Sequence, residues 1–231
     1  MSSKVLLFGA GGALGAAIAD HLLREGCTLF TGGTTRLSGA VDHLQLAYDG
    51  DFSASTFSSL PGLDVVVWAQ GLNCSDTVES FELADLQRLL RGNVLFIASS
   101  LQALLTAGKL EAGSRLAVVS SIWQLESRPG KFSYTLSKAA LQGLVKSCAL
   151  DLGRRGILIN AVLPGVVDTP MTRTHLSAEQ ITAITSQSAL GRLPEPADIA
   201  SAVAFLVSPA NRAITGQFLT VDAGFTGLKH A

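Results

Sequence analysis

Seven short aliphatic or β-branched runs recur along the chain: VLLF from Val5, CTLFT from Cys27, LQLAY from Leu44, DVVVWA from Asp64, RLAVVSS from Arg115, ILINAVL from Ile157 and QFLTV from Gln217. Most are separated by longer stretches of helical periodicity, such as the one from about Ala13 to Arg24. This alternation predicts an α/β fold, a single-domain doubly wound parallel sheet with helices on both faces. Strands covered on both sides need no polar face, which explains why DVVVWA and LAVV are continuous rather than alternating. The interval GDFSASTFSSLPGL is the exception. It is Ser-rich, closes on a Pro-Gly turn, and leaves room for one or two helical turns or an irregular loop instead of a full crossover helix.

No stretch of the 231 residues reads as a linker or a repeat, so one domain covering 1–231 is expected. Apolar residues make up 48% and charged ones 15%, which suits a large core together with a buried contact between subunits. The net charge of −1 gives no electrostatic footprint for nucleic acid or an anionic membrane, and points to a small-molecule partner. Cys27, Cys74 and Cys148 lack metal-ligand spacing and read as core filling. His21, His43, His175 and His230 are scattered, so no metal centre is expected. The opening MSSKVLLFGAGG has too short an apolar run for a signal peptide or a membrane span, and a cytoplasmic location is the expectation.

The chemistry is concentrated in FSYTLSKAALQGLVKSCALDL. Tyr134 and Lys138 stand four apart in a helical pattern and therefore on one face. An ammonium beside a phenol stabilises the phenolate, so the pair could move a proton near neutrality. Taken alone, the same spacing is that of an amphipathic helix with a half-buried Tyr and a solvated Lys. Ser121 at the end of RLAVVSS, thirteen residues before Tyr134, and Asn93, twenty-eight before Ser121, change the balance. Together the four resemble the catalytic Asn, Ser, Tyr and Lys of the short-chain dehydrogenase/reductase family. The likeness runs from the glycine turn at Gly9 to VDAGF at Val221–Phe225.

The resemblance implies a Rossmann-type site for NAD or NADP. Gly9, Gly12 and Gly15 follow the first strand and open the first helix, the context in which glycines let a backbone approach a pyrophosphate at a helix N-terminus; Leu14 stands between the last two. After the second strand, GGTTRLSG has no acidic residue to hold a ribose 2′-hydroxyl. Thr34, Thr35 and Arg36 suit a 2′-phosphate instead, which favours NADP over NAD. Beyond the third strand, Asp49 or Asp51 would accept from the adenine amino group, and Asp51 is the preferred choice. Past the fourth strand the family shows Asn-Asn-Ala-Gly where this chain has Trp68, Ala69, Gln70 and Gly71. Gly71 still gives room beside a ribose, while Gln70 would take over the missing hydrogen bonds or Trp68 would pack instead. Further on, Pro164 and Gly165 turn the chain beneath the nicotinamide, with Val167 and Thr169 facing its carboxamide.

The implied reaction interconverts a ketone and a secondary alcohol by hydride transfer, with Tyr134 as general acid or base. In it Ser121 holds the carbonyl oxygen, Lys138 serves both the phenol and the ribose hydroxyls, and Asn93 interrupts its helix to hold a water. Trp123 and Gln124, with Met171 in a lid over about 171–196, would meet a neutral substrate, since no Arg or Lys cluster calls for an anionic one. The segments ALGRLPEPADIASAVAFLVS and ITGQFLTVDAGF resemble the 3-oxoacyl-thioester reductase branch. A catalytically silent nucleotide sensor or scaffold of the same fold is the alternative, prompted by Phe8, Ala13 and Trp68, but it has no need of all four catalytic residues. An epimerase with bound NAD would want a longer chain. The family also implies a homotetramer or homodimer formed through the helices that carry Asn93 and Tyr134.

Overall fold

The computed structural model describes residues 2–48 and 51–227. Seven strands, β1 (Lys4–Phe8), β2 (Thr28–Gly33), β3 (Asp42–Gln45), β4 (Leu63–Trp68), β5 (Leu110–Val119), β6 (Leu158–Pro164) and β7 (Phe218–Val221), form one sheet. Their order is β3-β2-β1-β4-β5-β6-β7 and every pairing is parallel. The chain winds outward from β1 through β2 and β3, then returns to pair β4 on the other side of β1. The crevice at the carboxyl ends of β1 and β4 is therefore the place where the winding reverses, and ligands of open α/β sheets bind at such points.

Successive residues of each strand point to opposite faces and enter two separate cores. Leu6 and Phe8, Val66 and Trp68, Leu116 and Val118 face α3 (Phe96–Thr106) and α4 (Phe132–Gly153), where Ile97, Leu104, Leu141 and Val145 close the layer. Val5 and Leu7, Val65 and Val67 face α1 (Ala13–Arg24) and α7 (Pro196–Val207) through Ile18, Leu22, Ile199 and Val203. The expected doubly wound sheet is the observed one.

Two local differences bear on the site. The third strand takes Asp42–Gln45 rather than LQLAY, because its register against β2 runs from Phe30 with Asp42 to Gly33 with Gln45. Leu46 and Tyr48 thereby leave the ladder and pack against the α3-side core. The short third crossover holds a single 3₁₀ turn, Ala54–Phe57, capped by Ser53 and anchored by the buried Phe57. Asp49 lies outside the described residues.

The helix beginning at α2 (Leu83–Leu90) continues into α3 through a π segment, Arg91–Leu95, where the Phe96 N–H reaches back to the Arg91 carbonyl. Such an inserted residue breaks the regular ladder and is found mostly at functional sites. Asn93 occupies it.

Candidate active site

The first turn of α4 carries Tyr134, and the next carries Lys138 on the same face. Lys138 is 3% exposed; its Nζ donates to the Val119 carbonyl at 3.3 Å and lies 5.7 Å from the centre of the Tyr134 ring. Ser121 follows β5 and caps the 3₁₀ turn Ile122–Gln124, its Oγ accepting from the Trp123 N–H at 3.3 Å. Its side chain faces the Tyr134 phenol closely enough to favour the phenolate. Asn93 is 1% exposed and fully engaged. Its Oδ1 accepts from the Leu72 N–H at 2.7 Å, and its Nδ2 donates to the Leu72 carbonyl at 3.0 Å and to Ser137 Oγ at 2.9 Å. Gly71 joins the group: a Cβ built on it would stand 3.5 Å from Lys138 Nζ and 3.8 Å from Asn93 Oδ1. Residues from four parts of the chain thus converge at the carboxyl ends of β4 and β5.

Burial decides the ionisation of the pair. It pushes the Tyr134 phenol up to about 12, against the lowering from Ser121, and pushes Lys138 down to about 8. The expectation that the ammonium would lower the phenol is therefore reversed, since desolvation disfavours both charged forms.

The glycine turn is built for close approach. Gly9 has φ +78°, and a side chain there would strike the backbone of Gln70; one on Gly15 would strike the Gly9 carbonyl. Gly12 is the N-cap of α1 with no side-chain cap, and the first turn has no acidic residue, so the N–H groups that begin the helix are free for an anion. Gly9 and Gly12 line a cavity of about 150 Å³ whose far wall is Ala69, Gln70 and Gly71. A larger cavity of about 420 Å³ adjoins it through Tyr48 and Leu72 and ends at Arg88 and Arg91. The cradle and the uncapped helix end fit the phosphates of a dinucleotide.

Other expected contacts divide. Arg36 and Thr34 are exposed beside the turn, and among the described residues Arg36 has no hydrogen-bond or ion-pair partner. Gly165 abuts Asp222, and Val167 is buried with its carbonyl accepting from Thr172 Oγ1 at 2.6 Å. Thr169 caps α5 (Pro170–His175), its hydroxyl accepting from the Thr172 N–H at 3.2 Å. Asp51 is exposed and does not line either cavity; Tyr48 stands at the wall instead. Gln124 and Gln70 are buried with no hydrogen-bond partner for either amide atom, so Gln70 does not replace the missing asparagines. Trp68 packs, as the other expectation had it. Its ring stacks on Phe8 with centroids 5.9 Å apart and planes 14° apart, and its Nε1 donates to Ser100 Oγ at 2.9 Å. Sequence reasoning missed Tyr48 and also Gly11, whose absent Cβ lets the turn approach Thr35; a Cβ there would lie 2.8 Å from that of Thr35.

A family model described as enoyl-(acyl carrier protein) reductase matches residues 9–226. The chain is 30% identical over 234 residues to the 3-oxoacyl-(acyl-carrier-protein) reductase of Vibrio cholerae serotype O1, covering 95% of each. It is 32% identical over 192 residues to a 3-alpha-(or 20-beta)-hydroxysteroid dehydrogenase of Mycobacterium tuberculosis, covering 81% of this chain and 72% of that protein. A solved short-chain dehydrogenase/reductase from Serratia marcescens superposes with a TM-score of 0.84 at 28% identity, over 97% of this chain and 98% of the other. The chain belongs to the short-chain dehydrogenase/reductase family, and it resembles the 3-oxoacyl reductase branch. It is accordingly an NAD(P)-dependent oxidoreductase that interconverts a ketone and a secondary alcohol.

Proposed function

We propose that Tyr134 is the general acid and base of this reaction, with Ser121, Lys138 and Asn93 as its partners, and that the enzyme works as a carbonyl reductase on a neutral ketone with NADP as the favoured cofactor. The observation that carries the assignment is the convergence of Ser121, Tyr134 and Lys138 beside Gly71 and the π turn at Asn93. When bound, the nicotinamide supplies or accepts the hydride.

Ser121 holds the carbonyl oxygen where negative charge develops, and Tyr134 passes it a proton. Lys138 donates to the ribose hydroxyls and, when charged, favours the phenolate that remains. Because the Asn93 side chain is committed to Leu72 and Ser137, the water that links Lys138 to solvent rests on a main-chain carbonyl released by the π turn. Gly9, Gly12, Leu14 and Gly15 receive the pyrophosphate; Gly71, Pro164, Gly165, Val167 and Thr169 flank the nicotinamide half. Gln124, buried with an unpartnered amide, is read as the polar contact for substrate.

The NADP preference is supported by Arg36, exposed and without a partner among the described residues, and by the absence of an acid between Thr34 and Gly39. The region 171–196 is read as a lid over a single catalytic domain spanning 1–231. Its helix α6 (Ala178–Gln187) buries no residue, which suits a segment that moves. Assembly as a homotetramer or homodimer is supported by Leu95 at 55% and Leu150 at 81% exposure, on the two helices through which the family assembles. A cytoplasmic location remains the proposal. The test is a panel of neutral ketones and secondary alcohols with NADH and NADPH, read at the reduced-nicotinamide absorbance. Turnover of ketones with NADPH ahead of NADH supports this reading, and the reverse preference removes the role of Arg36.

A further inference from the structure

A buried lysine that the reaction above does not use stands on the same helical face as the proposed acid–base group. Lys131 is the N-cap of α4, only 7% exposed, and its Nζ lies 5.6 Å from the centre of the Tyr134 ring. Lys138 Nζ lies 5.7 Å from the same ring. Lys131, Tyr134 and Lys138 follow the i, i+3, i+7 spacing that aligns residues on one face, so the phenol is flanked by two amines.

Lys131 is also anchored from outside its helix. Its Nζ donates to Asn73 Oδ1 at 2.9 Å, the Cys74 carbonyl at 3.1 Å and Ser75 Oγ at 3.3 Å, all on the loop that follows Gly71. Three acceptors use all three N–H bonds of an ammonium, whereas a neutral amine has only two to give. The loop is held to the helix start a second time through Asp76. Its Oδ1 accepts from the Ser133 N–H at 3.0 Å, and its carbonyl accepts from the Phe132 N–H at 3.3 Å.

We propose that Lys131 is a positioning residue for Tyr134: a second cation, clamped beside the phenol ring by the loop that borders the cofactor cavity, that favours the phenolate and ties the order of that loop to the acidity of the acid–base group. The proposal rests on Tyr134 being that group. The groups around the pair are Lys138 on α4, Ser121 after β5, Arg128 before α4, and Cys74 and Asp76 on the loop. Burial and Arg128 work against the charge of Lys131, while Cys74 and Asp76 support it.

The chain has only two tyrosines, Tyr48 and Tyr134, so each phenol can be followed separately. The full-length protein is labelled with 3,5-difluorotyrosine, whose phenol titrates well below that of tyrosine, so that its anion forms while Lys131 still holds its charge, and the fluorine resonances are assigned with Tyr134→Phe. Lys131→Met should raise the Tyr134 midpoint by about one unit, Lys131→Arg by less than half as much, with Tyr48 unmoved. An unchanged Tyr134 midpoint in folded Lys131→Met overturns the proposal, and so does a shift shared equally by Tyr48, which reports general loosening. Should Lys131→Met not fold, Asn73→Ala removes one anchor and should raise the midpoint in the same direction by a smaller amount; no rise there overturns it equally. The titration needs no turnover, so its failure is distinct from a failure of the proposed reaction, which Tyr134→Phe kinetics would show.

Discussion

At the ends of two neighbouring strands the molecule solves the same problem in opposite ways. Where β5 gives way to the loop before α4, the site is polar: Ser121 and Lys138 are buried on either side of the half-buried Tyr134, and Asn93 reaches the Tyr134 backbone through Ser137. Where β1 and β4 end, the cradle is braced by aromatic rings. Phe8 stacks on Trp68 and meets the edges of Phe57 and Phe96 at 6.3 and 5.3 Å between ring centres. Trp68 stands where the family pattern has the first Asn of Asn-Asn-Ala-Gly, and its ring and that of Phe8 fill the space between the two strand ends. The bracing of β1 against β4 is thus separable from the chemistry, because an apolar pair holds Gly9 and Gly71 where a polar one otherwise would.

The sharpest way to break this comparison is at the polar end. Lys138→Met should lower turnover by about 10²- to 10⁴-fold and weaken cofactor binding as well, since in the proposed reaction one amine serves both phenol and ribose. Unchanged nucleotide affinity would remove the ribose role. At the aromatic end the effect should fall on stability rather than rate: Trp68→Ala empties a fully buried site and should cost about 3–5 kcal/mol in denaturant unfolding. Paired with Phe8→Ala in a double-mutant cycle, it should show a coupling of about 0.5–1.5 kcal/mol, and strict additivity would mean the two positions do not act as a set. At the rim between the two regions, Arg36→Ala should weaken NADPH by about 1.5–3 kcal/mol and leave NADH nearly untouched. Equal losses would make Arg36 a bystander.

What the sequence disclosed follows the same division. Ser121, Tyr134 and Lys138 were singled out by their resemblance to the family's spacing, and the structure brings them together because one strand end, one loop and one helix face set that spacing. Asn93 was readable as a helix breaker, though not that its side chain would be consumed by Leu72 and Ser137, because hydrogen bonds between distant segments leave no local period. Tyr48 was hidden for a related reason. LQLAY has strand composition throughout, and only the register of β3 against β2 shows that Tyr48 leaves the ladder and reaches the cavity wall. Lys131 carries no mark in the sequence, because its burial depends on a loop fifty-odd residues earlier. The reversal of the Tyr134 shift has the same origin, since spacing reveals a neighbour but not the loss of water around it.

A further expected effect is in the pH dependence of stability. Lys138 ordinarily titrates at 10.5 and is brought down to about 8 by burial, so between those values the unfolded chain holds a proton that the folded protein has released. Its contribution makes stability rise with pH through that window. Tyr134 acts in the other sense between 10.0 and about 12, where the folded protein keeps a proton that the unfolded chain loses. Lys138→Met should therefore be more stable than the wild type near neutrality, with the difference shrinking toward about pH 10. A constant difference across denaturation curves at several pH values would contradict the burial of a titrating amine.

The account stands on Tyr134 as the proton-transferring group, and the most direct measurement is the steady-state rate of Tyr134→Phe with NADPH and the best neutral ketone of the wild type, alongside NADPH affinity by fluorescence titration. The phenyl ring keeps the packing and removes only the hydroxyl. Turnover should fall by about 10²-fold or more while NADPH affinity stays within a fewfold. A rate near that of the wild type would contradict the assignment of the acid–base group.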